Sequence, residues 1–529
     1  MKTLHLLDST LRDGVQGENI SFSSADKLKV YETLASLGLH YIEAGNPSSN
    51  MKDALFFDQI ASLPHKDKCV AFGSTRRKDT PASEDTGLLS LLSADTKNIC
   101  VFGKTSLTHV REILHTTKEE NLRMIEESIA FLKENDKFVI FDAEHFFDGY
   151  AEDADYAFSA LQAAASGGAD VLCLCDTNGA TYSEDIYEIT KKVVDAFPAQ
   201  EIGIHCHNDI GLAVASSMRA VDAGATHVQG TLLGFGERAG NANLSTLIAN
   251  LQLKGGYTCI PPEKMPLLTG VCRKLADIAN YTLPGSMPYV GDSAFAHKGG
   301  MHVDAVQKLS ASFEHITPED VGNTRRILLS EVAGRATILD MIHAIDPSLS
   351  RDAPEIGLLI EKLKELEYKG YQFEAAPQSF ELVIRRALGK DKKYFELDHY
   401  KTIGEQPLFG KLYPSSALVK VRVGGISALT AAEGNGPVNA LDLALRKALS
   451  RFYPTLEEVW LTDFKVRVID SSTTTAASVR VLLESSDGIH TWSTVGVSTD
   501  ILKASFLALS DAIEYKLYLD HVEVPNYEK

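Results

Sequence analysis

The sequence predicts an α/β protein: a (β/α)8 TIM barrel, then a helical connecting region, then a C-terminal α+β domain. Three observations carry this reading. Apolar, strand-like runs recur at 4–7, 41–44, 69–72, 99–102, 138–141, 171–174, 202–206 and 228–233, with helical patterns between them. Eight strand–helix repeats in roughly 250 residues have the size and rhythm of a closed barrel. Nearly every run ends in chemically capable polar residues, and past about residue 257 the rhythm stops.

The first helical pattern shows how the alternation is written. Ser23 or Ser24 can cap it, Leu28, Tyr31, Leu34 and Leu37 form one apolar stripe, and Gly38 stops it. Further helices are expected over 121–133, 156–165 and 186–196. The polar strand ends decide between a barrel and an open, doubly wound sheet. They comprise Asp8 through Asp13, Glu43, Thr75-Arg76-Arg77, Lys104, Glu144, Asp176-Thr177-Asn178, His205 with His207, and Glu237-Arg238. A barrel gathers its site from the C-terminal ends of all its strands, whereas an open sheet concentrates it at one switch point. A set spread over every run fits the barrel.

The expected domains are a barrel over 1–275, connecting subdomains over 276–403 and a C-terminal domain over 404–529. The middle region contains helical stretches at 274–280 and 355–368, a Pro/Gly-rich segment at 284–288, and the loop His297-Lys298-Gly299-Gly300-Met301-His302. The last region alternates strands at 417–423, 463–469 and 478–484 with amphipathic helices at 439–449 and 501–517. It reads as a weak duplication of a strand–strand–helix unit, which could place a small effector at a pseudo-symmetric interface.

With 529 residues, 44% apolar and 23% charged, the chain has the composition of a globular protein able to bury a large core. The formal net charge of −19 argues against nucleic acid and anionic membrane as partners, since both require a basic face. It leaves room for an anionic substrate met by local arginine and metal. The seven cysteines are odd in number, and Cys69, Cys100, Cys173, Cys175 and Cys206 sit within apolar runs. Reduced thiols in a cytoplasmic protein are therefore expected, with Cys173 and Cys175 as inert core. Asp8 falls where a signal sequence would be apolar, and no run is long enough to cross a bilayer.

Three constellations carry chemistry. In His205-Cys206-His207, strand geometry turns both imidazoles to one side and Cys206 to the other. With Asp13 and Asn241 brought near by barrel closure, two imidazoles, a carboxylate and an amide oxygen suit a six-coordinate divalent ion: zinc, manganese or magnesium. In Asp8-Ser9-Thr10-Leu11-Arg12-Asp13-Gly14, Arg12 is either a surface partner of Asp13 or a fixed cation over a substrate oxygen that gains charge. Glu144, among Phe146, Phe147 and Tyr150, is either a general base or the partner of Arg76 or Lys104.

The run Leu7-Asp8-Ser9-Thr10-Leu11-Arg12-Asp13-Gly14-Val15-Gln16 resembles the signature of the DRE-TIM metallolyases, as do His205 to Asp209 and Gly234-Phe235-Gly236-Glu237-Arg238-Ala239-Gly240-Asn241. Within that superfamily the chain is most similar to the isopropylmalate, homocitrate and citramalate synthases, and above all to the long citramalate synthases. Phe72 to Arg77, Glu144 to Tyr150, Ser379-Phe380-Glu381-Leu382 with Arg385 to Leu388, and Thr494 to Ser498 carry that likeness. The resemblance implies a Claisen condensation of acetyl-CoA with pyruvate to (R)-citramalate and CoA, on a route to isoleucine through 2-oxobutanoate. It implies Asp13, His205, His207 and Asn241 as metal ligands and Arg12 against the developing oxyanion. Thr177 would hold the keto-acid carboxylate, Asp8 and Gln16 would bind substrate, and Glu144 is the candidate base. It further implies that His302 joins the site, that the chain forms a homodimer, and that the C-terminal domain is regulatory and binds an amino-acid effector.

The same resemblance leaves alternatives: an isopropylmalate or homocitrate synthase, or a catalytically dead barrel acting as a sensor. A hydroxymethylglutaryl-CoA lyase would not need the C-terminal half. A biotin-dependent carboxyltransferase would carry a metal-binding lysine where Cys175 stands before Asp176. Two departures from the pattern bear on substrate choice: Phe313 stands where relatives often have Tyr, and Ala44 and Asn46 where many have Gly and Trp.

Overall fold

Apolar side chains on both faces of each strand drive the first half of the chain into a closed parallel barrel. The computed structural model describes residues 2–297 apart from 50, 61 and 62, then 305–327 apart from 307, then 342, 343, 345, 353–404, 415–469, and 477–525 apart from 489. The barrel strands are β1 (His5–Asp8), β2 (Tyr41–Gly45), β3 (Cys69–Ser74), β4 (Asn98–Lys104), β5 (Phe138–Glu144), β6 (Val171–Asp176), β7 (Glu201–Cys206) and β8 (His227–Gly230). Each coincides with an expected run. β8 ends three residues early: the Thr231 amide donates to the Ala242 carbonyl at 3.1 Å, an approach that Gly230 permits because a Cβ there would lie 2.4 Å from that carbonyl. The chain turns there, and Thr231 pairs with the 241–243 segment.

β1 pairs with β8 in parallel, His5 opposite His227 through Asp8 opposite Gly230, and this closes the barrel. Leu7, Val70, Cys100, Ile140, Val171 and Cys173 fill its interior, and a larger apolar layer packs strands against helices. Ser24–Leu37 is helical, with a reciprocal Ser23–Asp26 capping box and Gly38 at φ 92° as its stop. The other expected crossover helices form as Lys118–Glu134, Ala154–Ser166 and Ser183–Ala196.

The described residues divide into two compact units, 1–296 with 310–326, and 297–309 with 327–529. The second unit contains two antiparallel sheets, β9 (Glu396–Ile403), β10 (Ser415–Val423), β11 (Ile426–Gly434) and β12 (Trp460–Val468), β13 (Val479–Ser486), β14 (Thr491–Ser498). A helix follows each sheet, Pro437–Ser450 and Ile501–Leu519. The repeat is therefore three strands and a helix, one strand more than its sequence pattern conveys. β9 is an edge strand with mostly exposed side chains and carries no clean apolar alternation. The Ser379–Leu388 motif falls on the helix Pro377–Ala387, where Ser379 Oγ donates to Asp511 (2.6 Å) and accepts from the Val495 amide (2.9 Å). Arg386 donates to Asp511 (2.7 Å) and Glu514 (2.6 Å). His302 lies outside the described residues, with the rest of its loop from Lys298. Among the described residues no helix is long and apolar enough to cross a membrane.

Two predictions follow from this packing. A Cβ at Gly496, on β14, would lie 2.0 Å from the Ala504 carbonyl of the following helix. Gly496→Ala is expected to destabilise the second unit by about 1–3 kcal/mol, measured as a lower urea midpoint by circular dichroism. At the N-terminal end of the barrel, burial lowers His40 and His227 from 6.5 to about 4. The unfolded chain binds those protons near 6.5, so the stability they contribute is present above that pH and lost as pH falls toward 4. His5, raised chiefly by its bond to Glu201, and Asp8, raised by burial to about 7, act in the opposite sense, so the contribution of the two histidines is read by difference. Between pH 6.5 and 4.5 the thermal midpoint of the wild-type protein is expected to fall relative to that of His227→Gln, which lacks one of these titrations.

Candidate active site

The loop after β1 turns tightly: the amides of Arg12, Asp13 and Gly14 all bond the Ser9 carbonyl, at 3.1, 2.8 and 3.0 Å. This lifts Asp13 over the end of the barrel, where closure places it beside β7. Asp13 Oδ2 lies 3.6 Å from His205 Nε2 and 3.9 Å from His207 Nε2. Cys206, between the histidines, is buried in the outer apolar layer, as strand alternation requires. His207 pairs in an isolated bridge with Asn241, whose Nδ2 donates to Asp13 Oδ1 and to the Phe235 carbonyl, both at 3.1 Å. That approach depends on Gly236, where a Cβ would stand 2.2 Å from Asn241 Nδ2. The glycines of the 234–241 motif thus serve to seat Asn241.

These residues fit a divalent ion. Donor atoms of Asp13, His205 and His207 lie within 4.8 Å of one another. Asn241 Oδ1 is buried and has no hydrogen-bond partner among the described residues. A buried acceptor left without a donor is costly, and a cation held with Asp13, His205 and His207 would supply its missing partner. Burial pushes the Asp13 carboxyl up, but Arg12 and then the two histidines outweigh it and hold it down at about 2. Asp13 therefore stays an anionic donor.

Arg12 is held from two sides, its Nε by Glu43 Oε2 at 2.6 Å and its Nη1 by Asp13 Oδ2 at 2.9 Å. Its guanidinium stacks on Phe72, 3.9 Å from the ring centroid. Burial works against its charge, yet Glu43, Asp13 and Asp142 together raise its pKa. The structure thus makes Arg12 a fixed internal cation, with Asp13 as one of its partners.

A cavity of about 220 Å³ opens on this cluster, lined by Arg12, Asp13, Gln16, Phe72, Phe102, Asp142, Glu144, Cys175, Thr177, His205, His207 and Glu237. Thr177 Oγ1 accepts the His145 amide at 2.8 Å, so its own proton is free to be donated into the cavity. Glu144 is ion-paired with Lys104, while Arg76 pairs with Glu120 and Glu127. Asp8 does not reach the cavity. It is fully buried and accepts from the Thr10 amide at 2.8 Å, with its carboxyl pushed up to about 7 by burial. Cys173 is core, its thiol pushed up by burial, but Cys175 lines the cavity wall. A second cavity of about 380 Å³ shares Arg12, Gln16 and Phe72 and includes Asn46. Ala44 is fully buried, and Phe313 is 50% exposed and lines neither cavity.

Sequence reasoning missed the aromatic wall, Phe72 stacked on Phe102 with centroids 5.4 Å apart, and the buried pair Asp142 and Gln229. A signal for the latter existed: both are polar residues inside otherwise apolar barrel strands, and Asp142 shares a strand face with Glu144.

A closed parallel barrel with this donor set at the C-terminal ends of its strands defines the class, an HMGL-like barrel. The HMGL-like family model matches residues 3–270, a homocitrate synthase post-HMGL domain-like model 289–370, and a LeuA allosteric (dimerisation) domain model 374–517. An (R)-citramalate synthase of Aquifex aeolicus is 50% identical over 521 residues, covering 98% of this chain and 99% of that one. Another, from Synechocystis sp., is 47% identical over 540 residues, covering 99% and 98%. A 2-isopropylmalate synthase of Pyrococcus furiosus is 30% identical over 520 residues, covering 97% and 99%. The chain belongs to the (R)-citramalate synthase family.

His207→Ala and Asn241→Ala are each expected to weaken divalent-ion binding to the metal-free protein. Isothermal titration with Mn²⁺ measures this directly. The rise in melting temperature that saturating ion gives the wild-type protein should shrink in both variants.

Proposed function

We propose that the chain joins acetyl-CoA to pyruvate, giving (R)-citramalate and CoA. The observation that carries this reading is the Asp13, His205 and His207 cluster beside the buried Arg12 cation in one small cavity, with Asn241 bonded to Asp13 from behind it. Identity of 50% to an (R)-citramalate synthase over nearly the whole chain supports it. The 2-isopropylmalate synthase is more distant, at 30%.

A divalent ion held by Asp13, His205, His207 and Asn241 would supply electrophilic polarisation of a bound 2-keto acid. Thr177 offers its free hydroxyl proton to the keto-acid carboxylate. Gln16 reaches the same cavity and is assigned to substrate contact. Arg12, locked by Glu43 and Asp13, presents charge where the ketone oxygen becomes an alkoxide, so little reorganisation is needed as the bond forms. Glu144 is the candidate base for the acetyl methyl proton, and Lys104 keeps its carboxylate at the rim. Hydrolysis of the product thioester makes the condensation irreversible. The stacked rings of Phe72 and Phe102 line this cavity, and the choice of pyruvate over 2-ketoisovalerate rests on the identities above.

The LeuA allosteric (dimerisation) domain match over 374–517 supports a homodimer whose C-terminal domain binds an inhibitory amino acid. Formation of citramalate would place the reaction on a route to isoleucine, in the cytoplasm.

The test is CoA release with acetyl-CoA, Mn²⁺ and either keto acid. Pyruvate is expected to be preferred by about 10–200-fold in kcat/KM, the range set by one or two methyl groups in a fitted pocket. Arg12→Gln is expected to lower kcat by about 100-fold or more. Equal or better turnover of 2-ketoisovalerate would overturn the choice of substrate, and an undiminished Arg12→Gln rate the role of Arg12.

A further inference from the structure

We infer that Gln229 and Asp142 form a relay through the barrel interior that dictates which imidazole nitrogen His205 turns toward Asp13 and His207. This rests on the metal-centre reading above and concerns residues that touch no substrate atom in that scheme; they are positioning residues.

The geometry is a directed chain. Gln229 stands opposite His205 in the β7–β8 register, and its side chain is fully buried. Its Oε1 lies 2.8 Å from His205 Nδ1, and its Nε2 lies 2.8 Å from Asp142 Oδ1. Asp142 is on β5, separated from β8 by β6 and β7, so the second bond spans the interior of the barrel. A weaker contact runs from the same Nε2 to His227 Nε2 at 3.5 Å.

Chemistry gives the chain its direction. Gln229 gives its Nε2 to Asp142 Oδ1, and a carboxyl oxygen can accept that bond whether or not the other oxygen carries a proton, so the NH2 end of the amide is committed to Asp142. The amide oxygen then faces His205, and the only proton arrangement that satisfies it places the hydrogen on Nδ1. Nε2 is left with a lone pair, 3.6 Å from Asp13 Oδ2. An outer partner that fixes tautomer and ring orientation is what makes an imidazole a good ligand. His207 differs: its Nδ1 is buried with no hydrogen-bond partner among the described residues. The relay therefore anchors one histidine of the pair and leaves the other to be oriented by its bridge to Asn241.

Replacing either relay residue tests this without reference to turnover. In metal-free protein titrated with Mn²⁺ by calorimetry, Gln229→Leu is expected to weaken affinity about 10–100-fold, with the circular dichroism spectrum unchanged. Asp142→Asn is nearly isosteric and offers Gln229 either a donor or an acceptor, so the amide can turn over. Affinity should fall there too, and ¹⁵N spectra of histidine-labelled protein should show His205 losing its single Nδ1–H tautomer. If Gln229→Leu does not fold, Asp142→Asn decides alone. Wild-type affinity together with an unchanged His205 tautomer in a folded variant would overturn the relay. Absence of Mn²⁺ binding in the wild-type protein would instead overturn the metal-centre reading, and the relay with it.

Discussion

The parallel pairing of β1 with β8 is the constraint on which the rest of the catalytic unit depends. Asp13 follows the first strand and Asn241 follows the last, 228 residues apart in sequence. Only when His5 to Asp8 lie alongside His227 to Gly230 does the Asn241 amide reach the Asp13 carboxylate. Closure also puts β7 close enough for His205 and His207 to face the same carboxylate. An open sheet with the same strands would leave Asp13 at one edge and His205, His207 and Asn241 toward the other. The interior packing that enforces closure is thus the scaffold of the donor set.

Charge inside this scaffold is arranged so that Arg12 and Asp13 keep their ionisation. Arg12 would resist burial alone, but Glu43 and Asp13 flank it and Phe72 covers its face. Asp13 in turn is held anionic by Arg12 and the histidines. Removing one member of such a set leaves its partner buried and uncompensated. The cluster is a preorganised field that exists before substrate arrives, and among the described residues Asn241 Oδ1 and Glu43 Oε1 are buried acceptors in it without a hydrogen-bond partner.

Much of this was legible in the residues. The eight strands stood out because buried parallel strands are continuous apolar runs. Arg12, Asp13, His205, His207 and Asn241 stood out because strand-end polar residues in a barrel converge. Other features were not readable. Asp8 belongs to the same motif as Asp13, yet it points into the barrel wall and bonds Thr10. Five residues along, the turn at Ser9 reverses that direction. Gln229 and Asp142 are each marked as a polar residue in an apolar strand, but nothing in the sequence joins two strands that are not neighbours in the barrel. In the first C-terminal repeat β9 was hidden because this edge strand leaves its side chains to solvent and loses the apolar alternation.

The sequence by itself determined the order of strands and helices, the end of the barrel at which chemistry collects, and the types of atom available there. Those follow from local periodicity and from the alternation of side chains along a strand. Only the tertiary structure decided which polar residues meet: Glu144 with Lys104 and not with Arg76, Arg12 with Glu43, and Gln229 with both His205 and Asp142. Such pairings depend on strand register, on the tightness of the loop that follows each strand, and on side chains crossing the barrel interior. None of these leaves a periodic trace in the chain.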